Sequence, residues 1–244
     1  MTTQADKRIF LAGAAGAIGR LLAPMLRANG WTVLGTTRSA AKLPMLQQLG
    51  IDGVVVDVFD AEKLSAIVCQ FQPEVVIHQL TDLPYGLDEN QMQDALKRNA
   101  RLRDEGTRNL VNAAAAAGAK RLIAQSIAFV YAQGQPPYHE EHPLLSAADP
   151  VYGETVDGVR SLERQVMEGV AQGLVLRYGL LYGENTGFDT PIAPGSIHVF
   201  AAARAAALAV TRGEPGIYNI ADHDGLVAID KARQQLGWEP DLRR

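Results

Sequence analysis

The chain is short of cysteine, of charge and of long apolar runs. Cys69 is the one cysteine in 244 residues. It excludes an internal disulfide, and a lone thiol builds no metal cluster, so it reads as a small buried side chain. Charged residues make up 20% and balance to a net −4, with no basic tract. That excludes the electrostatic footprint of a nucleic-acid binder. The stretch Ile9 to Ala17 is apolar but too short and too broken by glycine for a membrane span or a signal-peptide core. Met1 to Arg8 is polar. Together these absences point to a cytoplasmic protein with neither nucleic acid nor membrane as partner.

What is present is an ordinary core: hydrophobic residues reach 47%, enough for one large α/β domain or a domain with a small annex. Apolar runs predict strands at Arg8–Ala12, Trp31–Thr36, Gly53–Asp57, Glu74–Gln79, Arg121–Gln125 and Leu174–Arg177. Val54-Val55-Val56 and Val75-Val76-Ile77 are continuous rather than alternating, the pattern of a parallel sheet covered on both faces. Helices are predicted between them at Ile18–Asn29, Ala40–Leu49, Glu62–Gln70, Arg98–Ala117 and Thr155–Ala171. The first repeats apolar residues at Ile18, Leu21, Leu22, Met25 and Leu26, with Pro24 removing one hydrogen bond. Gln133–Pro150 and Tyr182–Ser196 read as long loops. Ala201–Val210 reads as a helix, Gly216–Ile220 as a strand and Ile229–Leu236 as a last short helix. The alternation predicts a doubly wound parallel sheet of Rossmann type. Residues 1–180 form its dinucleotide-binding core and 181–244 a small C-terminal substrate-binding region, whose 197–220 segment packs back on the core.

Gly13-Ala14-Ala15-Gly16-Ala17-Ile18-Gly19 follows the first strand and opens the first helix. That strand–turn–helix context gives the glycine spacing its meaning. Gly13 allows a tight turn, Gly16 lets backbone approach a pyrophosphate, and Gly19 lets helix and sheet pack closely. The helix start, with Ala17 and Ile18, offers free N–H groups and a positive dipole end to phosphates. The second strand leads into Thr36-Thr37-Arg38-Ser39. Thr37 stands where an NAD site places Asp or Glu for the ribose hydroxyls, and Arg38 follows it. A guanidinium pairs with a 2′-phosphate that a carboxylate would repel, and Lys42 is one helical turn on. The expected cofactor is therefore NADP ahead of NAD.

These residues resemble the short-chain dehydrogenase/reductase superfamily, in its extended or atypical branch of NAD(P)-dependent epimerase/dehydratase-like proteins. The resemblance extends through Asp57-Val58, Val76-Ile77-His78-Gln79-Leu80-Thr81, Asn99 and Gly106-Thr107-Arg108-Asn109-Leu110. It continues in Arg177-Tyr178-Gly179-Leu180-Leu181-Tyr182-Gly183 and Leu236-Gly237-Trp238 with Pro240. It implies that Asp57 and Val58 meet adenine, and that Gln79, Leu80 and Thr81 line the cofactor. Asn99 belongs to a helix under the active site, and Arg177, Tyr178 and Gly179 lie near the nicotinamide. The family's Ser/Thr with YxxxK is broken. Ile127 occupies the usual hydroxyl position with Ser126 one residue earlier, and Tyr152 faces Val156 at the lysine position. Alignment through Glu163 instead places Thr155 and Val159 at the two positions. Ser126 and Tyr152 are the candidate catalytic residues. Their task is acid/base work on a carbinol or carbonyl, for which a phenol titrating near ~10 needs help.

His139-Glu140-Glu141-His142 offers metal-ligand types but sits in a proline-flanked loop, where neighbours rarely face one ion; no metal is expected. His78 reads as a core histidine ahead of a catalytic one. Asp82, Tyr85 and Asp88 follow the fourth strand, either touching substrate or solvated. The spans Gly183–Ile197 and Asn219–Leu236 are shorter than the resemblance implies. Either the substrate region is reduced, or the sequence lacks stretches there. Two functions stay open. One is an NADP-dependent oxidoreductase or epimerase/dehydratase-like enzyme for a small polar substrate, a nucleotide sugar by family analogy. The other is an NADP(H)-binding sensor or scaffold without turnover. The expected partners are a small-molecule substrate and, in a homodimer, a second copy of the chain.

Overall fold

The computed structural model describes residues 7–241. Seven parallel strands form the central sheet: β1 (Arg8–Ala12), β2 (Thr32–Thr37), β3 (Asp52–Val55), β4 (Val75–His78), β5 (Arg121–Ile127), β6 (Gln172–Tyr178) and β9 (Gly216–Ile220). Their order is β3-β2-β1-β4-β5-β6-β9. The order reverses between β1 and β4, and open sheets bind ligands outside the carboxyl ends of strands at that point. Along β1, Ile9 and Leu11 join one core while Phe10 and Ala12 join the other. This is why its run is apolar on consecutive residues.

The core on one face of the sheet takes buried residues from α1 (Ala17–Ala28), α2 (Leu43–Gln48), α7 (Val199–Ala209) and α8 (Asp230–Leu236). The core on the other takes them from α3 (Ala61–Phe71), α5 (Thr107–Ala116) and α6 (Gly153–Gly169). The alanine run closing α5 buries Ala113 and Ala114, and Gly118, at φ +73°, ends it. α1 runs unbroken through Pro24. The 197–220 segment contains α7, which packs on α1, and β9, which completes the sheet beside β6. Trp238 is fully buried, and its indole N–H donates to the Ala201 carbonyl at 2.8 Å. A two-stranded parallel pair, β7 (Leu180–Tyr182) with β8 (Ser196–His198), stands apart from the main sheet. The sequence reading placed these residues at the margins of a loop; at three residues each, the strands carry no periodicity to read.

The helix predicted from Arg98 begins at Glu89. α4 (Glu89–Arg101) leads through a π-helical turn, Leu102–Gly106, into α5. The early start was hidden because the buried residues of α4 are Ala95, Asn99 and Ala100, with no large apolar side chain. Its signal was Asp88, which accepts from the Asn90 N–H at 3.1 Å as an N-cap.

His78 ends β4 fully buried. Its Nδ1 accepts from the Leu80 N–H at 3.2 Å, so Nε2 carries the proton and faces the Thr107 hydroxyl at 3.0 Å. Burial, then the Arg103 charge, pushes its pKa from 6.5 to about 4. Between those values an unfolded chain binds a proton that the native ring refuses. Stability is therefore full above 6.5 and falls as pH drops toward 4, by about 3 kcal/mol over the window. His78→Gln removes this titration. Urea unfolding from pH 6.5 to 4.5 should then show a loss smaller than the parent's by roughly 2 kcal/mol. An unchanged slope would mean that other groups carry the pH dependence.

Candidate functional site

A cleft of about 300 Å³ opens at the switch point, lined by the loops after β1, β2, β3 and β4. It brings together Gly13, Gly16, Arg38, Lys42, Asp57, Val58, Gln79, Leu80 and Thr81 from the predicted cofactor residues, and adds Ser39, Phe59 and Leu102. Asp57 Oδ1 accepts from the Phe59 N–H at 3.0 Å, and the Asn109 amide donates to the Val58 carbonyl at 2.9 Å. Both bonds hold the loop after β3 against the cleft.

The cradle is made of backbone. Gly13 has φ +88°, and a Cβ there would lie 2.5 Å from the Gln79 carbonyl oxygen. Turn and close approach both require glycine. Gly16 is different. A Cβ there would meet only the Gly13 carbonyl, at 3.4 Å, so the protein itself leaves the space open. Gly16 caps α1 without a side-chain hydrogen bond, and no acidic residue lies in the first turn. The N–H groups of Ala17, Ile18 and Gly19 thus start a helix with no side chain competing for them. Gly19 lies against Gly13 and Ala14. Arg20, outside the glycine motif itself, donates from Nε to the Ala15 carbonyl at 3.0 Å and reaches Asn185 on the loop after β7 at 3.3 Å. Its signal was a basic residue directly after the third glycine.

At the far end of β2, the Thr37 hydroxyl accepts from the Ser39 N–H at 3.1 Å. The turn this makes presents Arg38, whose side chain is 58% exposed. Near β1, the Gln79 amide donates to the Tyr178 hydroxyl at 3.3 Å, while its own oxygen is buried without a partner. Burial raises the pKa of the Tyr178 phenol, against the Gln79 bond. An open space at Gly16, an uncapped helix start and an unpaired buried acceptor on the cleft wall all fit a dinucleotide.

The other predicted residues lie off the cleft wall. Asn99 is buried and accepts from the Asp82 N–H at 3.0 Å, fixing the loop after β4. Gly179 passes so close to Gly195 that a Cβ would strike its carbonyl. Arg177 is buried: Nε and Nη2 grip Glu163 at 2.8 and 2.7 Å, and Nη1 donates to the Tyr131 hydroxyl and the Glu140 carbonyl, each at 2.9 Å. Ser126 sits in the same network and donates to Glu163 at 2.8 Å. Glu140 accepts from the Asn219 N–H at 2.8 Å, and His142 Nδ1 from the His139 N–H at 3.0 Å. Tyr152 stands at the start of α6, 42% exposed, with its N–H held by Asp149 at 2.8 Å. Thr155 is buried one turn further. Val156 and Val159 fill a small apolar cluster with Ile127 and Val130. Both candidate lysine positions are therefore inside an apolar core.

Comparison with known proteins adds three findings. The family described as NAD dependent epimerase/dehydratase matches residues 9–218. The chain is 46% identical over 183 residues to a 3-diazoavenalumate denitrifying reductase of Streptomyces sp, covering 74% of this chain and 58% of that protein. It is 32% identical over 180 residues to methionine adenosyltransferase 2 subunit beta of Pongo abelii, covering 73% and 48%. The chain thus spans about half the length of the curated relatives it matches. Among solved structures, UDP-glucose 4-epimerase of Thermotoga maritima with UDP-glucose superimposes with a TM-score of 0.75 at 20% identity, covering 96% of this chain and 94% of that one. UDP-glucuronic acid 4-epimerase of Bacillus cereus in complex with NAD gives 0.74 at 17%, covering 96% and 92%. The structural likenesses show the Rossmann fold.

The cradle yields a direct test. Gly16→Val has room in the protein but fills the space left for a pyrophosphate. The variant should unfold at the parent's temperature and lose binding of both NADPH and NADH by fluorescence titration, by about a hundredfold or more. Parent-like affinity would show that the loop holds no phosphate.

Proposed function

The chain belongs to the NAD dependent epimerase/dehydratase family, and from that premise we propose that it is an NADP-dependent reductase acting on a small polar substrate. The observation that carries the reading is the pairing of an open phosphate cradle with a basic corner at the end of β2. Arg38 and Lys42 line the cleft there, together with Thr37 and Ser39. The bound dinucleotide would supply a hydride. Gly13 and Gly16 admit its pyrophosphate, the start of α1 neutralises phosphate charge, and Gln79 offers an unpaired acceptor.

Reduction is favoured over epimerisation by what stands at the lysine positions. An epimerase must take a proton from a carbinol and later return one. A phenol does the first only when a neighbouring cation lowers its pKa from ~10. Val156 and Val159 carry no charge. A neutral phenol still donates a proton, which is the half that reduction needs. Tyr152, exposed at the carboxyl edge of the sheet, is the donor in this reading. The relative named a reductase, at 46% identity, supports the same direction. The short links between β7 and β8 and between β9 and α8 leave little chain to wrap a nucleotide sugar, so a smaller substrate is preferred.

A second reading, an NADP(H)-binding sensor or scaffold without turnover, is favoured by the same buried valines. It is separated from the first by Tyr152→Phe. For a reductase, the variant should bind NADPH as the parent does but consume it about 100-fold more slowly, followed by the loss of its absorbance with a panel of small carbonyl and aromatic acid substrates. Equal rates in parent and variant would remove Tyr152 as donor. No consumption by the parent with any substrate would favour the sensor.

A further inference from the structure

We propose that Arg98, on α4, is the second guanidinium of a clamp for the 2′-phosphate of NADPH, and that Asp82 holds the clamp together until that phosphate displaces it. This rests on the reading of the cofactor as NADPH. Arg38 comes from the end of β2 and Arg98 from α4, 60 positions apart in sequence. One carboxylate joins them: Arg38 Nη2 lies 3.2 Å from Asp82 Oδ1, and Arg98 Nε lies 3.3 Å from Asp82 Oδ2. Two guanidinium groups on the two oxygens of one carboxylate stand close enough to share one phosphate. Guanidinium forks match its oxygens with paired, charge-assisted hydrogen bonds.

The arrangement is built. Asp82 follows Thr81, which lines the cleft, and its N–H donates to Asn99 on the same helix as Arg98. The buried Asn99 therefore sets the loop after β4 and the α4 arginine in register with each other. Asp82 itself is easily exchanged. The side chains are 58%, 51% and 25% exposed for Arg38, Arg98 and Asp82, and ion pairs this open to water contribute little. A phosphomonoester brings nearly two charges and three acceptor oxygens where Asp82 brings one charge and two. It should take both arginines, with Lys42 beside it. A dinucleotide without the 2′-phosphate gives the arginines no reason to leave Asp82. On this view the chain carries its own weak competitor, which keeps two like charges paired in the free protein.

Binding constants of the full chain for NADPH, NADH, adenosine 2′,5′-bisphosphate and 5′-AMP provide the test, without any need for turnover. Arg98→Ala should weaken NADPH and the bisphosphate about tenfold and leave NADH and 5′-AMP within about twofold. Asp82→Asn keeps the backbone bond to Asn99 and should strengthen NADPH several-fold with little change for NADH. Thermal unfolding of each variant checks that the fold is retained. Equal losses for all four ligands with Arg98→Ala, no loss for any, or weaker NADPH binding with Asp82→Asn would each overturn the clamp. A parent that binds NADH as tightly as NADPH, and 5′-AMP as tightly as the bisphosphate, would overturn the NADP reading and the clamp with it. A parent that prefers NADPH while Arg98→Ala does not alter the preference would sink the clamp alone.

Discussion

The buried pair between Glu163 and Arg177 is the interaction through which several separate segments of the sheet, helix and loop are joined. Taking two charges out of water costs several kcal/mol per ion, and only good geometry and satisfied remaining groups offset it. Here they are satisfied. Arg177 grips both carboxylate oxygens and bonds Tyr131 and the Glu140 carbonyl, while Ser126 donates to Glu163. The Tyr131 hydroxyl in turn donates to Asn219 Oδ1 at 2.6 Å. One network therefore ties together β5, α6, β6, β9 and the 133–150 loop. It also sets the rotation of α6, because Glu163 must face inward. With that rotation Thr155, Val156 and Val159 are buried and Tyr152 is left exposed at the helix start.

This accounts for what the sequence revealed and what it withheld. The strands were legible because strands buried on both faces are apolar on consecutive residues, as Val75-Val76-Ile77 shows. The cradle was legible because its chemistry lies in backbone: glycines at Gly13 and Gly16 and the start of α1 need no particular side-chain partner. α4 was partly hidden because Ala95, Asn99 and Ala100 bury a face without large apolar groups. The roles of Arg177 and Ser126 were hidden for another reason. An arginine after a strand and a serine at the end of one have the residue types of a reactive site. Nothing local says that both turn toward Glu163, 14 and 37 positions away. Such a pairing depends on which helix covers which face of the sheet.

The two ends of the site consequently obey different rules. At the cofactor end, the requirement is space and N–H groups, and small residues at fixed spacing meet it. At the start of α6, where the proposed chemistry would take place, the requirement is side chains with particular charges, and those depend on long-range packing. Between them stands β4. His78, held neutral by burial and the Arg103 charge, accepts from the Leu80 N–H and so orients Leu80 and Thr81 on the cleft wall. Asn99 then fixes Asp82. The strand end is held by buried polar groups on the α5 side, which leaves its other side open for a ligand.

The missing lysine follows from the same packing. Val156 and Val159 are fully buried with Ile127 and Val130. An ammonium there would lose its hydration in an apolar cluster, a cost that favours the neutral form or a displaced helix. The cluster and a lysine thus exclude each other, and the proposed reduction is the chemistry that asks less of a proton donor there. Glu163 cannot take over, since three hydrogen bonds from Arg177 and Ser126 already occupy its two oxygens. Arg103, whose charge acts on His78, is lowered by burial to a pKa of about 10 and is therefore still cationic at neutral pH. Burial first, and the Arg103 field second, keep a proton off His78 and so remove that imidazole as an acid. Tyr152 is an exposed phenol at the start of α6, and in the proposed reduction a neutral phenol can give a proton where it cannot readily take one.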